Sequence, residues 1–166
     1  MKKYNYKNCQ SLFGYSADVH IRCKWKCQLC GCGGEPIDFD IWRQMTVEHL
    51  IGKKQGGYLY QIRELVSEKF PNYSIEKIEL LSKNIEAFNT VTACQFCNST
   101  TSRDESDISM YDLILMPELG LNAILENIEN TCKEILESKQ TKVNWKLTSV
   151  RDAFNEHVVS KLSLSK

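Results

Sequence analysis

Two C-x-x-C pairs, Cys27-Gln-Leu-Cys30 and Cys94-Gln-Phe-Cys97, constrain this chain more than any other feature. Each pair can present two thiolates from one tight turn. Two such knuckles complete a tetrahedral four-thiolate site, with Zn–S bonds near ~2.3 Å. The alternative for a single pair is buried thiols or a redox motif. A redox pair would need a surrounding βαβ pattern, which the sequence does not have. The chain carries eight cysteines, and clustered thiols in a reducing compartment bind metal or react rather than pair as disulfides. A structural Zn2+ on Cys27, Cys30, Cys94 and Cys97 is therefore expected. Cys23 and Cys32 flank the first knuckle and could replace one of its ligands. Cys9, His20, Cys23 and Cys32 could make a second site, but their irregular spacing favours small buried hydrophobes, and Cys132 reads the same way.

The 166 residues suit one compact domain, or one with an appendage. No run of about 18 apolar residues is present, so no membrane span is expected. Met1-Lys2-Lys3-Tyr4-Asn5-Tyr6 has no apolar run after its lysines. It is not read as a secretory signal, and the expected location is cytoplasmic. Lys+Arg and Asp+Glu both total 21, so net charge names no partner. Its distribution is uneven: residues 1–30 carry a net of +5, 104–140 a net of −7 and 141–166 a net of +3. A polyanion would be drawn to some faces and repelled by others.

Alternation of Met45, Val47 and His49 with Thr46, Glu48 and Leu50 predicts a strand within residues 37–50. Gly52–Gly57 is a glycine-rich loop without the Lys-Ser/Thr ending of a P-loop. A helix is predicted near Tyr60–Lys69, stopping at Pro71. A second begins after Ser74 as cap, with Ile75, Ile78, Leu81 and Ile85 at helical spacing. Residues 88–93 read as a short strand running into the second knuckle, with a helix starting at or just after Cys97. A short helix capped by Ser16 is predicted within 11–24. Leu121, Ile124, Leu125, Ile128, Cys132, Ile135 and Leu136 form an apolar stripe. That stripe is read as packing on the core, with a dimer interface the lesser reading, and Ser149 is the expected cap of a final helix carrying Val150, Phe154, His157, Val158 and Leu162. The expected organisation is a core over 1–103 and a helical extension over 104–166, in an α+β fold.

Between the knuckles stand Glu48-His49 and Asn89-Thr90-Val91-Thr92-Ala93, and Asn98 follows the second knuckle. Glu48 offers a hard oxygen suited to Mg2+. His49, with an ordinary pKa near ~6.5, is suited to taking a proton at neutral pH. Adjacent strand residues point to opposite faces, so the two serve one site only if the strand ends or bends there.

This ordered set resembles the HNH endonucleases, whose core is a zinc-braced ββα-metal unit. The residues that carry the resemblance are Cys27-x-x-Cys30, Glu48-His49 with Gly56-Gly57, and Asn89-x-Val91-x-Ala93-Cys94-x-x-Cys97-Asn98, within roughly residues 23–103. The resemblance implies a DNA phosphodiesterase. His49 is then the general base, Asn89 the residue that holds the base through the loop, and Glu48 and Asn98 the ligands of one Mg2+ or Mn2+. Glu48 stands where Asp is commoner. The 40-residue stretch from His49 to Asn89 must hold inserted helices, and Asn84 rivals Asn89 for the middle position. Lys53, Lys54, Arg43 and Arg103 are the expected phosphate contacts. Trp25 and Trp42 could stack on bases, though a core role is simpler. A homodimer fits a double-strand cutter, and a regulatory protein partner fits a defence nuclease. The alternative from another class is a non-catalytic zinc-stabilised module that binds nucleic acid or protein.

Overall fold

The computed structural model describes residues 17–101 and 107–164. Ser16, Cys9 and Arg103 lie outside the described residues. The fold is α+β, with a two-stranded antiparallel sheet among helices. A helix over residues 17–22 (α1) leads into the first knuckle. The predicted strand is shorter than residues 37–50. Phe39–Trp42 is a single helical turn (α2), started by Asp38, whose carboxylate accepts from the Ile41 N–H at 2.9 Å. Strand β1 is Met45–His49 and β2 is Thr90–Cys94, one residue later than predicted at its end. In their register Met45 lies opposite Cys94, and His49 opposite Thr90.

The connection between the strands holds α3 (Leu59–Lys69) and α4 (Ile75–Asn89). The Ser74 hydroxyl caps α4 by accepting from the Lys77 N–H, as its sequence predicts. Leu81 and Ile85 are buried, while Ile75 at the first helical position is exposed, ahead of the turn that packs. Helix α5 (Gln95–Thr101) follows β2 without a loop, so it starts before Cys97 and carries Cys97 on its first turn. After α6 (Met110–Leu115) comes α7, Leu121–Phe154, a 34-residue helix. Its Ile124, Ile128 and Cys132 face the main core with Ile51, Ile62 and Ile85. Val143 joins a second cluster with Met45, Ala93 and Cys97.

The tail departs from expectation. Ser149 does not cap a new helix, because its hydroxyl donates to the Trp145 carbonyl one turn back, a bond compatible with a continuous helix. The chain continues through a π segment, Asn155–Val159, into α8 (Ser160–Leu164). Val150, Phe154, His157, Val158 and Leu162 are exposed. They do not pack on the core, since Val143 is the last fully buried residue of α7. No described helix is long and apolar enough to cross a membrane.

Candidate metal centre and strand-end site

The first knuckle is a small hairpin. Lys26 bridges Gly33, and the Cys27 N–H donates to the Cys32 carbonyl at 2.8 Å. Gly31 and Gly33 both sit at φ +80°, a left-handed conformation that glycine adopts at no steric cost. The fold-back brings Cys32 beside Cys27. The sulfurs of Cys27, Cys30, Cys32 and Cys94 lie within 4.8 Å of one another. This corrects the expected set: Cys32 stands in the four-thiol group where Cys97 was placed. Cys97 is fully buried, and its thiol interacts with Cys30 and Cys94. The centre is thus Cys27, Cys30, Cys32 and Cys94, with Cys97 a fifth thiol close by. Four clustered sulfurs fit a tetrahedral soft ion such as zinc. Burial raises the Cys27 thiol, but backbone N–H groups of Cys30, Cys94 and Leu29 outweigh it and draw the thiol below its ordinary value. That favours the thiolate a metal requires.

The hairpin β1–β2 carries this centre at its Met45–Cys94 end and His49 at the other. Pairing stays regular through His49, so alternation is kept. Met45, Val47 and His49 share a face with Thr92 and Thr90; Thr46 and Glu48 share the opposite face with Ala93 and Val91. The strand ends at His49, but its pairing is regular up to that residue, so Glu48 and His49 point to opposite faces and do not converge.

On the first face, α1 and the knuckle cover β2. Buried His20 meets the Thr92 hydroxyl at 2.7 Å, and the Gln28 N–H donates to the Thr92 carbonyl. Arg22 donates to both the carbonyl (2.7 Å) and hydroxyl (2.9 Å) of Thr90, directly across from His49. The His49 ring stacks on Tyr58, centroids 4.3 Å apart. The two rings line an open pocket with Leu59, Tyr60, Arg63 and Glu86. Burial lowers the His49 pKa to about 4, so the imidazole is neutral at pH 7.

Asn89, fully buried, ties the loop that follows His49. Its side-chain oxygen accepts from the Ile51 N–H at 2.7 Å, and its amide donates to the carbonyls of Ile51 (3.0 Å) and Gly57 (2.8 Å). A Cβ at Gly57 would stand 1.9 Å from the Ile51 carbonyl oxygen and 2.9 Å from the Asn89 amide nitrogen. The second glycine of the Gly56-Gly57 pair therefore has a packing cause. Asn84, the rival, is exposed on α4.

On the second face, Glu48 is 3% exposed and paired with Lys139 of α7 at 2.6 Å. Burial pushes its carboxyl up and the Lys139 ammonium works against that shift. The Asn98 amide donates to the Thr46 hydroxyl at 2.8 Å and reaches toward the Val47 carbonyl at 3.4 Å. Only its oxygen has the chemistry of a cation ligand. With an ammonium already on the carboxylate, Glu48 and Asn98 as placed do not fit the expected Mg2+ or Mn2+.

The predicted phosphate contacts separate. Lys53 and Lys54 lie exposed on a 3-10 turn just beyond Gly52, on the His49 side. Arg43 precedes β1 at the cysteine end and pairs with Asp40 at 2.8 Å, so the whole strand lies between it and His49. Trp25 and Trp42 pack against each other with ring centroids 6.3 Å apart. Sequence reasoning named Cys32 only as a replacement for one of the knuckle ligands, and it missed Arg22, Tyr58 and Lys139. Arg22 and Lys139 appeared only as charges, and nothing local marks the strand residues they reach. No protein family, curated protein or solved structure matches the chain.

Proposed function

We propose that this protein is an endonuclease that hydrolyses DNA phosphodiester bonds with His49 as general base. One observation carries the reading. A thiol centre and a histidine stand at opposite ends of one hairpin, a helix follows its second strand directly, and Asn89 fixes the loop after the histidine. The neutral imidazole accepts a proton from water. The water oxygen bonds to phosphorus as the bond to the 3′-oxygen breaks, and the 3′-oxygen leaves as a hydroxyl by taking a proton from solvent. Arg22, held on Thr90 beside His49, meets a non-bridging phosphate oxygen, and Lys53 and Lys54 contact the flanking backbone. The thiol centre, filled with Zn2+, braces the hairpin's far end. No step is assigned to the divalent ion expected on Glu48, since that carboxylate is held by Lys139. The same ion pair favours a second reading, a zinc-stabilised binding module without cleavage.

Supercoiled plasmid separates the two. The proposal expects nicked or linear product from the unsubstituted chain and none from His49→Ala at equal zinc content. Arg22→Ala should weaken cleavage without changing zinc content. Undiminished cleavage by His49→Ala would remove His49 as base.

A further inference from the structure

The pocket beside His49 is open, mostly apolar and about 340 Å³ in volume. That is the low end of the range for small-ligand sites, roughly 300–1,000 Å³, and suits one ring system. Tyr58 stacks on His49 with centroids 4.3 Å apart, and Tyr60 meets Tyr58 edge-on at 6.5 Å. Tyr60, on the first turn of α3, is 49% exposed. Arg63, one turn further on, is gripped at two nitrogens by the Glu79 carboxylate, at 2.7 and 2.9 Å. Its charge is already met, and what it offers the pocket is a flat guanidinium on which a ring can stack. Glu86 of α4 adds a carboxylate to the wall, which repels a phosphate.

The exposed cations stand outside it. The Gln61 side chain donates to the Lys53 carbonyl at 3.0 Å and accepts from the Tyr58 N–H at 3.3 Å. The turn bearing Lys53 and Lys54 is thereby fastened to the start of the helix that lines the pocket. Arg22 lies on Thr90, across from His49. This surface divides as a nucleotide does, with an aromatic recess that turns phosphate away and a positive rim that attracts it. We propose that the recess takes the base of an unpaired nucleotide, and that the substrate is single-stranded rather than duplex DNA. The inference rests on the nuclease reading and names the substrate class of that same site. In a duplex both faces of a base are covered by its neighbours, so a base meets a side-chain ring only when it is out of the stack. Every base has a face to stack, so the recess selects strand state and not sequence. Negative supercoiling favours strand separation, so a supercoiled plasmid can present such a strand.

The test is binding of a labelled DNA oligonucleotide to the full, zinc-loaded chain, followed by fluorescence anisotropy. The strand is phosphorothioate-linked so that it stays intact, and it is offered single or annealed to its complement. The single strand should bind at least about tenfold tighter than the duplex. Tyr60→Ala should weaken single-strand binding by at least about fivefold, leave duplex binding within about twofold, and restore nothing when salt is varied, because no charge is removed. Tyr60→Phe, which keeps the ring, should bind as the unsubstituted chain does. Tyr60→Leu, which keeps apolar bulk without a π face, is the second variant should Ala leave the chain unfolded. Duplex binding as tight as single-strand binding, or single-strand binding unchanged in a folded variant lacking the ring, overturns the inference. Ring-dependent single-strand binding without cleavage of any unmodified DNA keeps the inference and removes the nuclease reading. His49-dependent cleavage with binding indifferent to Tyr60 does the reverse.

Discussion

Glu48 and Asn89 show what burial does to a polar side chain here. Asn89 leaves no buried polar atom unpaired: its three bonds satisfy one N–H and two carbonyls of the loop. Asn89→Ala would strand those groups, and we expect a loss of about 3 kcal/mol in urea unfolding. Glu48 and Lys139 depend on each other. Lys139→Met should cost about 3–5 kcal/mol, and adding Glu48→Gln should recover most of it, because the cost is an uncompensated charge. The histidines set the acid limit. His20 and His49 are both held below their ordinary value by burial, His49 at about 4. The unfolded chain therefore binds more protons than the folded one between about pH 6.5 and 4. Their contribution is full above pH 6.5 and is lost as the pH falls through that window. Urea midpoints measured at pH 7, 5.5 and 4.5 should fall in that order, and His49→Gln should flatten the trend.

At the scale of elements, the sequence was most legible where one face meets one core. Helix α3 ends at Lys69, ahead of Pro71 as expected, α4 forms over the predicted apolar spacing, and Ser74 caps where its side chain is read to cap. The alternation of Met45, Val47 and His49 is real, but the strand is only 5 residues long because Asp38 starts a helical turn before it. The first knuckle was half legible. C-x-x-C marks two sulfurs, yet the return of Cys32 depends on the left-handed glycines and the Lys26–Gly33 bridge. If the fold-back matters, Cys32→Ser should lower zinc affinity, and Cys94→Ser should abolish zinc binding and unfold the chain; zinc stoichiometry by elemental analysis checks both. Gly57→Ala should destabilise by about 1–3 kcal/mol, because the added carbon meets backbone.

At the scale of the molecule, α7 decides what the hairpin can do. Spacing along α7 predicts its apolar stripe, but not that Lys139 reaches Glu48. A buried ion pair across 91 residues leaves no local trace. Nor does spacing show where the helix leaves the body, because an apolar residue looks the same whether it is packed or exposed. Val150, Phe154 and Leu162 are exposed, so deleting residues 151–166 should shift the melting temperature by less than about 2 °C. Deleting from residue 138 onward also removes Lys139, Gln140 and Val143 and should abolish folding.

Chemical rescue tests the base most directly. His49→Gly chain, matched for zinc content, is incubated with supercoiled plasmid with and without free imidazole. The account predicts no nicking without imidazole and restored nicking with it. Nicking by His49→Gly at the unsubstituted rate, without imidazole, would contradict it.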